Sequence, residues 1–237
     1  MMKLLIWDFD GTLGYRQGGA WTASLLEVLE KAGVAPEVTA EEIRPHLRQA
    51  FPWDTPHRPH PHMQSTREWW EALYPVFERT FEKVGVDGFE VYDLARQMRD
   101  TYLDLERWCL FDDALPTLTH LSSEGWIHAV LSNHAPELDL IVQHLELDKH
   151  VSRVYNSATI GWEKPHERAF RIVLDAFPGP EAVWMIGDHM DADIQGAAAV
   201  GIPGILVHRY HEEARYHCET LSQVPLVLAE ATEANTQ

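Results

Sequence analysis

The chain is poor in cysteine, in positive charge and in long apolar runs. Two cysteines, Cys109 and Cys218, stand among 237 residues. They lie far apart and make neither a metal-ligand spacing nor a disulfide framework, so a reducing compartment is expected. Lysine and arginine total 19 against 37 aspartates and glutamates, a formal net charge of −18. That excess of acid argues against nucleic-acid backbones and anionic membranes as partners. It also means that an anion site here needs local positive charge or a metal. No stretch approaches the roughly 20 apolar residues of a membrane span. The uncharged segment from Ala197 to Val207 is broken by Gly201, Pro203 and Gly204. The apolar run in MMKLLIWD is too short for a signal peptide. The expectation is a soluble, cytoplasmic protein with no membrane or nucleic-acid partner.

What is present is a large apolar fraction, 45%. It is ample for one large domain or a domain with an insert. Residues 3–8 (KLLIWD) read as a short buried strand. Residues 20–105 read as almost wholly helical, with about four helices at the 3.6-residue period and no convincing strand between them. Residues 51–62 (FPWDTPHRPHPH) form a Pro-rich loop within that block. From Asp112 the texture alternates. A helix closed by Gly125 leads into the strand WIHAVLS, then a helix runs from Pro136 to about Leu145. A short strand over 151–155, a helix starting at Pro165, the strand AVWMIGD, a helix over 192–200 and a last strand GILV follow. Alternation of this kind predicts a parallel α/β sheet, with the helical block inserted after the first strand. The polar tail after about Leu228 is expected to fray.

Open parallel sheets bind ligands beyond the carboxyl ends of their strands. The first strand ends in Asp8-Phe9-Asp10-Gly11-Thr12, the second in Ser132-Asn133, and the fourth in Gly187-Asp188, with Asp191 and Asp193 just beyond. The loop Gly161-Trp162-Glu163-Lys164-Pro165 follows the third. Gathered at one edge, these carboxylates, one hydroxyl and one lysine suit a magnesium and phosphate site. Mg²⁺ takes hard oxygen ligands and offsets the repulsion among the acids, and Lys164 supplies a point charge. Alternation places Asp8 and Asp10 on one side of an extended strand end, roughly 6 to 7 Å apart along the chain.

Together, "DFDGTL", "LSN", "GWEKP" and "GDHMDADIQGA" resemble the four ordered motifs of the haloacid dehalogenase superfamily, across residues 3–14 and about 110–210. The resemblance implies a Rossmann-like parallel sheet core with helices on both faces, residues 1–14 and 108–237. It also implies an inserted all-α helical-bundle cap of the C1 type, residues 15–107. Carried over residue by residue, it makes Asp8 the nucleophile and Asp10 the proton donor and acceptor. Mg²⁺ would sit on Asp8, the Asp10 carbonyl and Asp188. Ser132 and Lys164 would hold the phosphoryl group, helped by the Asn133 backbone. Thr12 would orient the nucleophile loop, and Asp193 would stand behind the metal or beside Lys164. Family dehalogenases and phosphonate hydrolases lack an acid at position 10, so Asp10 favours phosphate-ester hydrolysis or phosphoryl transfer.

The expected activity is Mg²⁺-dependent hydrolysis of a small phosphorylated metabolite, the phosphatase branch of the family. A phosphoryl-transfer enzyme such as a sugar-phosphate mutase, and a non-catalytic binding protein, are the alternatives. Oligomeric state is left open. Arg16, just after the catalytic strand, is a candidate contact for a substrate anion. His57, His60 and His62 are expected in a solvated loop rather than on a metal, and Trp69-Trp70 in the cap core.

Overall fold

The computed structural model describes residues 2–48, 51–60, 63 and 65–234. His62 lies outside the described residues. The chain opens with strand β1 (Lys3–Trp7), whose Leu4, Leu5, Ile6 and Trp7 are all fully buried. A near-continuous apolar run is what a central strand covered on both faces requires. The indole of Trp7 keeps its polar atom satisfied by donating to His128 Nδ1 at 3.0 Å.

The chain leaves through β2 (Gly14–Arg16) and returns through β3 (Trp108–Leu110), paired antiparallel with Tyr15 opposite Cys109. The sequence reading missed this ribbon, because strands this short carry no readable period. Between its two halves lie α1 (Trp21–Ala32), α2 (Ala40–Ile43), α3 (Thr66–Lys83) and α4 (Glu90–Tyr102). Gly33, at φ 69°, closes α1 in the left-handed conformation that a non-glycine residue adopts at a cost. Ser65 accepts from Glu68 N, and Glu68 bonds back to Ser65 N, a capping box that starts α3. Helices α1, α3 and α4 pack around Trp69, Trp70, Phe77 and Tyr102, all buried. The Pro-rich loop contains a tight turn, Pro52–Asp54, that enters this cluster through Phe51 and Trp53.

The second half supplies α5 (Ala114–Ser123), β4 (Trp126–Ser132), α6 (Leu138–His144), β5 (Arg153–Asn156), α7 (Ser157–Ile160), α8 (Glu167–Ala176) and β6 (Ala182–Gly187). A π-helical turn, Met190–Gln195, then runs into α9 (Gly196–Ala198) and β7 (Gly204–Val207). The helix expected over 192–200 therefore begins earlier and is wider in its first turn. A two-residue β8 (His217–Cys218) and α10 (Val224–Ala234) end the described chain. Of the tail expected to fray after Leu228, the described part continues α10 to Ala234, with Leu228 and Ala231 buried, and residues 235–237 lie outside the described residues.

Six strands form one parallel sheet in the order β5-β4-β1-β6-β7-β8. The chain builds outward on one side of β1, then crosses back to build on the other. The carboxyl end of β1 is thus the point where the winding reverses, and there the crossovers diverge and leave a crevice. With helices around the sheet and the extra helices as a cap, the fold is the α/β class expected from the sequence. No described helix is long and apolar enough to cross a membrane.

Candidate active site

Asp8 follows β1 directly. Its backbone N–H donates to Ile186 O at 2.9 Å, which extends the pairing with β6 by one residue and fixes the carboxylate at the crevice. Gly11, at φ 85°, turns the chain sharply, and a Cβ there would come within 2.7 Å of Asp188 Oδ2. Glycine is required on both counts, and the turn brings the β1 loop against the β6 loop. Asp10 lies in this turn, partly buried.

Lys164 reaches the crevice from the loop after α7. Its Nζ is 2.9 Å from Asp8 Oδ1 and 2.6 Å from Asp193 Oδ1, and only 2% of the ammonium side chain is exposed. Asn133, at the end of β4, clamps the Lys164 backbone. Its Nδ2 donates to Lys164 O, and its Oδ1 accepts from Lys164 N, both at 2.8 Å. The Asn133 side chain is therefore a brace for the lysine loop, a role that sequence spacing does not reveal. Ser132 is buried beside it and lines the crevice.

Both Asp193 oxygens are engaged, Oδ1 by Lys164 and Oδ2 by the His189 N–H at 3.0 Å. That leaves Asp193 as a fully buried anchor behind Lys164. Gly187 makes room for it, since a Cβ on Gly187 would overlap the Asp193 carboxylate.

The charges respond to this crowding. Burial, with Asp8 and Asp188 close by, pushes the Asp10 carboxyl up to about 7. Burial and Asp8 likewise raise Asp188, against the pull of Arg209 and Lys164. Burial pushes Asp193 up as well, opposed by the adjacent ammonium. Burial alone would lower Lys164, but Asp193 and Asp8 outweigh it and hold the amine charged.

One oxygen each from Asp8, Asp188 and Asp193 lies within 4.8 Å of the others, the one such cluster found among the described residues. Carboxylate oxygens gathered this closely are the donor set that a hard divalent cation satisfies. Both Asp193 oxygens are engaged, whereas Asp8 and Asp188 are each paired through one oxygen, to Lys164 and Arg209, so these two are the carboxylates that could hold a metal. The side chain of Asp10 is not in that cluster; the sequence reading assigned its backbone carbonyl to the metal.

The crevice opens into a cavity of about 620 Å³. Its floor is Asp8, Asp10, Ser132, Lys164 and Asp188, and its roof is Trp21, Trp53, Asp54, Pro56 and Tyr102 from the cap. The roof residues were not singled out as site residues from sequence. Tyr102 follows the helical period like any core residue, and Trp53-Asp54 lie in the loop that carries no motif. Tyr102 OH meets His134 Nε2 at 3.0 Å. Burial drives that imidazole down to about 4, so it stays neutral and accepts the bond.

Arg16 does not face the cavity. It is buried, bonded to both Glu27 oxygens at 2.9 Å and to Thr101 O at 2.8 Å. The substrate contact expected for Arg16 does not fit this placement; the guanidinium instead ties β2 to α1 and to the end of α4. Thr12 is fully buried, and its carbonyl accepts from His208 Nε2 at 3.1 Å. The next residue, Arg209, puts Nη2 2.9 Å from Asp188 Oδ2. His208 and Arg209 follow the carboxyl end of β7, a position that the strand-end rule covers. His57 is exposed, and His60 Nε2 lies 3.2 Å from Pro52 O. Trp69 and Trp70 are cap core as expected.

The model of the haloacid dehalogenase-like hydrolases matches residues 2–201. The chain belongs to the haloacid dehalogenase-like hydrolase family. Among its curated relatives, a Bos taurus protein named haloacid dehalogenase-like hydrolase domain-containing protein 3 is 29% identical over 212 residues, 87% of this chain and 82% of that one. The phosphoserine phosphatase of Thermus thermophilus is 28% identical over 227 residues, 88% of this chain and 89% of that one. The magnesium-bound crystal structure of the HAD-hydrolase YfnB from Bacillus subtilis superposes with a TM-score of 0.73. It covers 96% of this chain and 99% of that one at 18% identity, a likeness of fold.

Proposed function

We propose that this hydrolase is a Mg²⁺-dependent phosphatase that cleaves a small phosphate monoester through an aspartyl-phosphate on Asp8. The observation that carries the reading is the Asp8–Lys164 contact at 2.9 Å, at the point where the sheet winding reverses, with a carboxyl of pKa about 7 two residues away. A phosphatase relative that aligns along 88% of the chain supports it. We assign residues 1–14 and 108–237 to the catalytic core and residues 15–107 to the cap.

In the first step an Asp8 oxygen attacks phosphorus and the ester P–O bond breaks. Asp10, protonated, gives its proton to the departing alkoxide, and the alcohol leaves. A pKa near 7 suits a group that must be acid in one step and base in the next. In the second step Asp10 takes a proton from water, the oxygen attacks phosphorus, and the bond to Asp8 breaks to release phosphate. Lys164 neutralises the charge that gathers on the phosphoryl oxygens, and the Ser132 hydroxyl donates to one of them. Asp193 and Asn133 hold Lys164 in place. Asp8, Asp188 and the Asp10 carbonyl would hold Mg²⁺, which when bound would supply further positive charge for the phosphoryl group. The cap covers the cavity and limits water during the first step.

A phosphate-release screen over metabolite esters with Mg²⁺ tests this. Wild type is expected to turn over one ester class, with loss on EDTA treatment. Asp10→Asn is expected to be slower by about 10²- to 10⁴-fold. Isomerisation of a sugar phosphate without net hydrolysis would replace this reading with a mutase.

A further inference from the structure

The roof of the cavity carries groups that the phosphoryl chemistry does not use. Trp21 stacks on Tyr102 with ring centroids 4.0 Å apart and 9° between planes. Trp53 stands 6.1 Å from Trp21 and is itself stacked on Phe51 at 4.8 Å and 6°. Asp54 follows, with Oδ2 held by the Phe51 N–H at 2.9 Å. These contacts fix two indole rings and a carboxylate that line the same cavity as the catalytic floor. Rigid aromatic rings beside a carboxylate are the elements of a cation-binding wall, since ring faces carry negative quadrupole density.

The charge balance points the same way. Six carboxylates line the cavity: Asp8, Asp10, Asp54, Asp188, Asp191 and Asp193. Among the described lining residues, Lys164 is the one lysine or arginine, and it is paired to Asp8 and Asp193. Arg209 nearby is paired to Asp188. His189 lines the wall, but its Nδ1 accepts from Ala192 N. Arg44 and Arg48 line a separate cap cavity, which Trp21, Trp53 and Asp54 also border. Lys164 and a divalent cation are thus consumed by one phosphoryl group. No described lining lysine or arginine remains for a second anion, whereas Asp54 has no ion pair among the described residues.

We propose that the alcohol half of the substrate carries a positive charge, an amine or quaternary ammonium, which sits against Trp21, Trp53 and Asp54. This rests on the phosphatase reading for its phosphate half. The phosphate would lie on Lys164, and the cation would reach the cap wall across the cavity. A second anionic group on the substrate would meet Asp54 and Asp191 instead, and be repelled.

The test compares kcat/KM for phosphocholine and phosphoethanolamine with that for neutral propyl phosphate and for anionic phosphoglycolate. The cationic esters are expected to lead the neutral one by about tenfold, with the anionic ester last. Asp54→Asn and Trp53→Leu are each expected to lower the cationic-to-neutral ratio by about tenfold, and Trp53→Phe to restore most of it. A ratio is unmoved by a general loss of folded enzyme, so it separates charge recognition from structural damage. Calorimetric titration of Asp8→Asn with phosphocholine and with propyl phosphate gives a second readout that needs no turnover. A phosphoglycolate rate equal to or above the phosphocholine rate would overturn the proposal, as would equal affinities for the two titrated esters. If no ester is hydrolysed but phosphocholine still binds more tightly, the phosphatase reading falls and the cation site stands.

Discussion

The Lys164 ammonium lies 2.6 Å from the Asp193 carboxylate, with 2% and 0% of the two side chains exposed. Breaking a buried pair leaves one charge without water or partner, which costs about 3 to 5 kcal/mol. Asp8 retains part of the partnership at Lys164, so the lower end applies. Asp193→Asn is expected to lose about 3 kcal/mol in urea unfolding, together with activity. A loss below about 1 kcal/mol would place this pair with exposed ion pairs.

Glu163, directly before Lys164, offers a test of pH linkage in a group that the phosphoryl steps do not use. It is 2% exposed, its Oε2 has no hydrogen-bond partner, and burial pushes its carboxyl from 4.5 up to about 7. A carboxyl raised in the native state holds its proton more tightly folded than unfolded. The stability it contributes is full below about pH 4.5 and is lost as pH rises to about 7, amounting to about 3 kcal/mol. Glu163→Gln cannot ionise. The variant is expected to be no more stable than wild type at pH 4.5 and to gain on it up to pH 7. Parallel stability–pH curves for the two proteins would contradict this.

Much of the site was legible in the sequence because its residues sit at strand ends, where an apolar run stops and polar residues begin. Asp8, Ser132 and Asp188 follow that rule directly, and Gly11 marks the turn. Asn133 was legible as a position but not as a brace, because its partner is a backbone 31 residues away. The cap wall was hidden for a different reason. Trp21 and Tyr102 carry the same periodic signal whether they fill a core or line a cavity, and here they do both. Arg16 misled because sequence adjacency to the catalytic strand says nothing of direction; β2 turns its side chain onto Glu27. The β2–β3 ribbon and the last turns of α10 were illegible because propensity is weak over three residues and at chain ends.

Magnesium binding is expected to stabilise the folded protein, since the cation offsets the burial and the mutual repulsion that raise Asp10 and Asp188. At a hundredfold excess over Kd the gain is about 2.7 kcal/mol, a rise of roughly 5 to 10 °C in Tm. Asp188→Asn should abolish most of that rise while EDTA alone leaves the variant unchanged. A full shift in the variant would remove Asp188 from the metal site.

Core and cap are also joined through Glu137, at the start of α6. Its buried carboxylate accepts from Trp70 Nε1 at 3.0 Å and from Arg99 Nε at 2.9 Å, both in the cap. Glu137→Ala leaves the buried indole N–H unpaired and is expected to cost about 1 to 3 kcal/mol. Faster amide exchange in α3 and α4 with α5 and α10 unaffected would mark a loosened cap. Uniform acceleration across the chain would instead mark Glu137 as ordinary core support.

The central claim is that Asp8 carries the phosphoryl group. Acid quenching during turnover, followed by peptide mass analysis, reads this directly. The peptide containing Asp8 is expected to gain the mass of one phosphoryl group, to gain more of it in Asp10→Asn, and to gain none in Asp8→Asn, which should also be inactive. Full turnover by Asp8→Asn, or a phosphoryl group on another residue, would contradict the account.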